Sequence, residues 1–289
     1  MKTIAIVGLG EMGVRMAARL LNDGQRLVVH NRTPSKAKGL LEQGAIWADN
    51  PKQAVEQADI AFSMVTDNDA SERVWLHPED GGFLGLRPGK TIVESSTLTP
   101  SWIQSLHHRA TEAGAEFLDA PVAGSRPQAE QGKLVFLVGG PTEKVEELTP
   151  LLKVMGGAVL HAGNAGAGSA LKLAVNALFG IQVAAMSEVL GMLERSGIAK
   201  QEAIEMLGNT PVVSPALKGA GGLIASENYA PLFPINLVEK DFRYVVETAT
   251  KLGAQTPISE ATRQVYQRAQ EEGLGNLNIV GVAKLFQHS

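Results

Sequence analysis

Residues 1–13 read MKTIAIVGLGEMG, and the last six of them, Gly8-Leu9-Gly10-Glu11-Met12-Gly13, decide how the first half of the chain folds. Thr3–Val7 is a short apolar run with the β-branched content of a buried strand. The glycine motif leads from it directly into Met12–Asn22, a segment with helical character. In that order each glycine has a reason. The first permits a tight turn, the second lets the backbone approach a pyrophosphate, and the third allows helix to pack closely on strand. The helix N-terminus attracts the phosphate charge. A lone Gly-x-Gly-x-x-Gly is weak evidence, and its bland alternative is a glycine turn with no ligand. The strand before it and the helix after it turn it into a dinucleotide-binding signature.

Outward from this point, short β-rich runs recur at Leu27–His30, Ile60–Val65, Thr91–Glu94, Glu116–Asp119 and Lys133–Val138. Each is followed by a turn or a helix start, the pattern of a parallel sheet covered by helices. Thr33-Pro34, Asn50-Pro51 and Thr99-Pro100 place proline behind a residue able to cap, and Gly140-Pro141 opens another helix. Character changes after His161. Gly163–Gly168 is a glycine-rich joint, and from Ser169 to Arg195 the chain has no proline and is apolar nearly all round, which predicts a long helix buried on most sides. Further helical stretches follow, with interruptions expected at Thr210–Pro215, Gly219–Gly222 and Ala230–Pro234. The fold class is therefore α/β, Rossmann-type, over residues 1–163, with an all-α domain over 164–289 joined through the long helix.

Composition agrees. A chain of 289 residues with 44% apolar and 19% charged residues is long enough for two ordinary globular domains. Its net charge of -4, without a basic stripe, argues against nucleic-acid binding. With no cysteine there are no disulfides, thiolate nucleophiles or cysteine zinc sites, and the six histidines lack zinc-binding spacing, so no metal is expected. The apolar stretch in MKTIAIV is too short for a signal peptide, and no bilayer-length run is free of charge and glycine. The expectation is a cytoplasmic protein with no membrane partner.

The end of the second strand selects the cofactor. An NAD enzyme needs an acid there for the ribose hydroxyl; this chain has Asn31-Arg32-Thr33, with Lys36 one turn later. A guanidinium pairs with a 2′-phosphate that a carboxylate would repel, so NADP(H) is preferred. A solvated surface arginine is the alternative. Val65-Thr66-Asp67 and Ser95-Ser96-Thr97 stand at two other strand ends and should border the nicotinamide, although polar residues also gather there for turn reasons.

Lys172 and Asn176 lie four residues apart on the long helix and so share a face. Buried polar groups need partners, and burial lowers a lysine's pKa toward the range useful in proton transfer. Equally, Lys172 could extend its ammonium to solvent near the helix start. Tyr244 reads as packing and Lys218 as a solvated loop lysine. His107-His108 read as part of a surface helix, and Trp47, Trp75 and Trp102 as packing or surface anchors in the first domain.

Taken in order, GLGEMG with Met16-Ala17, DAPVAGS at Asp119–Ser125, Gly132, GNAGAGSALKLAVN at Gly163–Asn176 and Lys240-Asp241 resemble the motifs of the β-hydroxyacid dehydrogenase family over essentially the whole chain. The NRT after strand two and GSRPQAEQGKL at Gly124–Leu134 resemble its glyoxylate/succinic semialdehyde reductase branch. The resemblance implies that Lys172 is the catalytic acid and that Asn176 orients substrate or lysine. It implies that Gly124 and Ser125 hold a substrate carboxylate, that Thr97 contacts nicotinamide, that Lys240 closes over the cofactor, and that Asp241 and Phe233 border the active site. It also implies a homodimer formed through the helical domain and a small-molecule substrate. One departure stands out: Ala123 occupies a position where the family usually has serine, which removes a substrate-binding hydroxyl. Two rival functions share this architecture, an imine reductase and a non-catalytic NADPH-binding protein; Lys172 argues against both.

Overall fold

The structure is a computed structural model that describes residues 2–286. Its elements, in chain order, are β1 (Thr3–Val7), α1 (Gly13–Asn22), β2 (Arg26–His30), α2 (Lys38–Glu42), β3 (Ile46–Trp47), α3 (Pro51–Gln57), β4 (Ile60–Ser63), α4 (Asn68–Leu76), β5 (Thr91–Glu94), α5 (Pro100–Glu112), β6 (Glu116–Asp119), β7 (Val122–Ala123), α6 (Arg126–Glu130), β8 (Leu134–Gly139), α7 (Thr142–Met155), β9 (Gly156–Gly163), α8 (Ala167–Arg195), α9 (Lys200–Gly208), α10 (Pro215–Ala225), α11 (Ile235–Leu252) and α12 (Pro257–Glu271). The chain divides into two compact units between Lys172 and Leu173.

In the first unit the strands run in the order β3-β2-β1-β4-β5-β6-β8-β7, with β9 on β8. The ladders from β3 to β6 are parallel. Strand order reverses at β1, so the carboxyl ends of β1 and β4 lie side by side at the point where such sheets bind ligands. Alternation sorts the strands into two faces: Ile4 and Ile6 join a core with Met16 and Leu20 of α1, while Ala5 and Val7 join one with Trp75, Ile103 and Leu106. Asn50 caps α3 through Gln53 N–H at 2.9 Å, and Thr99 caps α5 through Trp102 N–H at 3.4 Å; Thr33 makes no such bond.

Several expectations need correction. β4 stops at Ser63 because Val65 N–H leaves the ladder for the Ser96 hydroxyl, at 2.8 Å. Three strands go beyond the sequence reading: β3, two residues at the sheet edge beside β2; β7, inside DAPVAGS; and β9, whose residues are mostly half-buried or exposed and which is held by parallel pairing to β8.

The second unit, taken by itself, is helical. Its core gathers Val183, Met186, Leu190, Phe242, Tyr266 and Ile279. Phe242 and Tyr266 stack at 5.7 Å, and the Tyr266 hydroxyl donates to Gly180 O at 2.9 Å, which satisfies a phenol that burial keeps protonated. Gly219–Gly222 do not interrupt the chain but lie within α10, whose start is fixed by Pro215 and by Ser214 accepting from Leu217 N–H at 3.2 Å. Lys218 is accordingly a helix residue rather than a loop lysine, with its ammonium 3.4 Å from Gly208 O. Among the described residues α8 alone is long and apolar enough to cross a membrane, a property it shares with core helices of globular proteins.

Candidate active site

The glycine loop has the shape that its sequence requires. Gly8 has φ +99°, and a Cβ there would lie 2.3 Å from Met64 O. A Cβ on Gly13 would lie 2.0 Å from Gly8 O, so α1 closes on the β1 turn only with glycine at that position. Nothing stands within 4 Å of the corresponding point on Gly10, which leaves its backbone open to a ligand. These residues fit a pyrophosphate at the N-terminus of a ten-residue helix. Leu9 is buried, Met12 half-buried, and Glu11 pairs with Arg15 at 3.0 Å and Arg126 at 3.1 Å.

At the end of β2, Asn31 is part of the loop architecture. Its Oδ1 accepts from Leu9 N–H at 2.9 Å and its Nδ2 donates to Thr33 O at 2.9 Å. It ties the glycine loop to the segment that carries Arg32, Thr33 and Lys36, all three of which are exposed. Beyond β4 and β5, Val65 is half-buried and Thr66 exposed, and Thr97 is half-buried. Glycine loop, Asn31–Lys36, Val65–Thr66 and Thr97 thus all stand at the carboxyl edge of one sheet.

β6 ends in Asp119, and this residue does more than begin the DAPVAGS motif. Its carboxylate is buried and accepts from Gly166 N–H at 2.8 Å through Oδ1 and from Ser169 N–H at 2.7 Å through Oδ2. Burial pushes its pKa up, and the two backbone donors oppose that rise. A carboxylate at this place satisfies amide groups at the start of α8 and complements its dipole. Lys172, buried one turn later, is therefore carried by a helix whose first turn is fixed to the sheet. Gly124 and Ser125 follow β7, two residues from the same strand system, and the Ser125 amide is already used by Gln128 Oε1 at 2.9 Å. Sequence reading quoted Asp119 inside its motif without giving it a task. The available signal was a carboxylate at the end of the apolar run Phe117-Leu118, where a charge needs fixed donors.

In the second unit Asn176 Nδ2 donates to Asp241 Oδ2 at 2.6 Å, and Lys240 Nζ lies 3.1 Å from Asp241 Oδ1. Lys240 and Asp241 are both buried, with the ammonium 5.0 Å from the centre of the Tyr244 ring. Asp241 thus orients Asn176 and Lys240 together. Phe233 is half-buried against the helical core, and its amide donates to Asn278 Oδ1 at 3.1 Å. Among the described residues no cluster of His, Cys, Asp or Glu could hold a metal ion.

A glycine loop of this geometry on a parallel sheet defines a dinucleotide-binding protein, and comparison with known proteins makes the dinucleotide a nicotinamide one. Residues 3–163 match the family described as the NAD binding domain of 6-phosphogluconate dehydrogenase, and residues 166–286 match that described as the NAD-binding domain of NADP-dependent 3-hydroxyisobutyrate dehydrogenase. The chain is 34% identical to 3-hydroxyisobutyrate dehydrogenase of Pseudomonas aeruginosa, over 95% of its length and 96% of the relative's. It is 29% identical to glyoxylate/succinic semialdehyde reductase 1 of Arabidopsis thaliana, over 99% of both chains. The solved structure of Mycobacterium tuberculosis 3-hydroxyisobutyrate dehydrogenase with L-serine superposes with a TM-score of 0.90 at 25% identity, covering 100% of both chains. The chain belongs to the β-hydroxyacid dehydrogenase family. Relatives named as hydroxyacid dehydrogenases or semialdehyde reductases are oxidoreductases, and the first unit of this chain carries a nicotinamide-cofactor-binding fold.

Proposed function

We propose that the protein is an NADPH-dependent reductase of a small aldehyde or keto acid, run in reverse as a hydroxyacid dehydrogenase. The observation that carries this reading is Lys172: a buried lysine on a helix whose first turn is held to the sheet by Asp119. When bound, the nicotinamide supplies the hydride that adds to the carbonyl carbon. Lys172 donates the proton that the carbonyl oxygen acquires, which completes the alcohol. Asn176, oriented by Asp241, is assigned to positioning substrate or lysine. Gly124 and Ser125 are assigned to the carboxylate, with Phe233 at the border of the pocket. Thr97, Val65 and Thr66 are assigned to the nicotinamide half, Lys240 to closing over the cofactor, and Arg32, Thr33 and Lys36 to the 2′-phosphate of NADPH. Ala123 offers no hydroxyl, and that supports a substrate less dependent on polar recognition, with turnover of imines as a side activity.

The test follows NADPH oxidation by wild type and Lys172→Ala against glyoxylate, semialdehyde acids, neutral ketones and cyclic imines, with NADH as the competing cofactor. Turnover of an aldehyde acid that falls about 10²–10⁴-fold in Lys172→Ala supports the reading. Reduction of imines or neutral ketones alone would sink the proposed substrate class, and cofactor binding without any turnover would favour a non-catalytic protein. A homodimer is also proposed. Leu178, Ala185 and Met192 stand seven residues apart on α8 and are exposed, an apolar stripe of the kind that a second helix covers. Sedimentation equilibrium should return twice the 30.6 kDa chain mass; a monomer would refute it.

A further inference from the structure

Glu94, the last residue of β5, is completely buried, and the chemistry assigned above gives it no part. No ion pair involves it among the described residues. A buried carboxylate without a cation costs several kcal/mol unless hydrogen bonds replace its water. A valine or methionine would fill such a place without that cost, so the position of the donors is informative.

Three residues converge on it, and a fourth supports one of them. The Ser71 hydroxyl and the Trp75 indole N–H, both on α4, donate to Oε2 at 2.8 Å each. Ser96 N–H donates to Oε1 at 3.0 Å. Trp102 of α5 donates its indole N–H to Ser71 Oγ at 3.0 Å, which leaves the Ser71 hydrogen to point at Glu94. Donors face both oxygens of this carboxyl group, and burial pulls its pKa up against those hydrogen bonds. Ser96 then passes the connection on, because its Oγ accepts from Val65 N–H at 2.8 Å. A second tie joins the same two segments: Asn68 Nδ2 donates to Thr99 Oγ1 at 3.0 Å and Thr99 N–H donates to Asn68 Oδ1 at 3.2 Å.

The loops joined in this way are the ones after β4 and β5 that carry Val65–Thr66 and Thr97. We propose that Glu94 is a positioning residue that sets the spacing of these two loops for the nicotinamide half of the cofactor. The inference rests on the cofactor reading above. It predicts an effect confined to one half of the dinucleotide, since Gly8–Gly13 and Arg32 receive the other half through β1 and β2.

The experiment is calorimetric titration of wild type, Glu94→Gln and Ser96→Ala with NADPH and with 2′-phospho-ADP-ribose, which lacks only the nicotinamide. NADH and ADP-ribose serve as the parallel pair. Glu94→Gln keeps size and shape but turns an amide N–H₂ toward groups that are themselves donors. Ser96→Ala keeps the carboxylate and its backbone donor and removes the hydroxyl that joins Glu94 to Val65, so it decides the matter if Glu94→Gln does not fold. The expected result is a dinucleotide Kd raised roughly tenfold to a hundredfold in Glu94→Gln, a smaller rise in Ser96→Ala, and unchanged affinity for the fragment. Equal losses for dinucleotide and fragment, or no loss in either variant, would overturn the inference and leave the cofactor reading intact. Wild type that binds neither dinucleotide nor fragment would overturn the cofactor reading, and this inference with it.

Discussion

Replacing Gly168 with alanine adds one methyl group at the place where α8 meets the sheet. A Cβ at 168 would stand 2.3 Å from Leu137 O, 2.8 Å from Gly139 N and 3.0 Å from Asp119 Oδ2. The first two atoms are backbone of β8, fixed by its ladders, so the helix must move rather than the strand. Restoring an ordinary contact to Leu137 O takes a shift of roughly 1 Å. That shift stretches the bonds from Gly166 and Ser169 N–H to Asp119, at 2.8 and 2.7 Å. Overpacking costs about 1–3 kcal/mol and each hydrogen bond to a charged group is worth about 1.5–3 kcal/mol, so partial loss of both gives about 3 kcal/mol. At about 2–4 °C per kcal/mol, the melting temperature should fall by about 6–12 °C. Lys172 lies one turn along the same helix, and a displacement of about 1 Å at a catalytic group lowers kcat about 10²-fold. KM for the cofactor should stay near the wild-type value, because the glycine loop is not touched. Thermal unfolding followed by circular dichroism, with steady-state kinetics on the best aldehyde acid, measures all three. A Gly168→Ala enzyme with wild-type kcat and an unshifted melting temperature would refute the claim that this helix start is sterically fixed.

Two further perturbations probe charge. Arg32→Glu should lower kcat/KM for NADPH roughly tenfold to a hundredfold and leave that for NADH unchanged or improved, since a carboxylate repels the 2′-phosphate and serves a ribose hydroxyl; an unchanged NADPH-to-NADH ratio would remove Arg32 from the cofactor site. Glu147 accepts from Lys144 at 2.6 Å and from Lys2 at 2.5 Å, which hold its pKa down at about 2 from 4.5. A depressed carboxylate pKa stabilises the fold above about pH 4.5, and that contribution is lost as pH falls toward 2. The side chain is 41% exposed and well screened, so the effect is less than about 1 kcal/mol. Glu147→Gln should therefore flatten the acid limb of stability slightly at low salt and not at high salt; an equal change at both would contradict the assignment.

Some of this architecture could be read in the residues and some could not. β1, β5 and β6 match the expected bounds residue for residue, because each holds a short apolar run that ends sharply, at the glycine loop after β1 and at a carboxylate in β5 and β6. β3, β7 and β9 could not be seen, since two-residue strands and a half-exposed one are defined by pairing with β2 or β8 rather than by their own pattern. The glycines of α10 read as a break because helix propensity was weighed without the Ser214 cap that starts the helix. At the site, the glycine loop was legible in full, whereas the roles of Asn31, Glu94 and Asp119 were not. Each bonds groups far away in sequence, as when Asn31 accepts from Leu9 N–H and Glu94 from Ser71 and Trp75, and one-dimensional spacing does not carry such pairings.

The bonds from Asp119 to residues 47 and 50 positions further on close a loop in the chain at its base. The chain between, from β7 through α7 to β9, is built into the sheet and its core, with β8 paired to β6 and β9. An insertion at the exposed start of α7, Thr142-Glu143, therefore leaves the offset between the DAPVAGS strand and the helix that bears Lys172 unchanged. That helix start is a sound place to insert a tag or reporter.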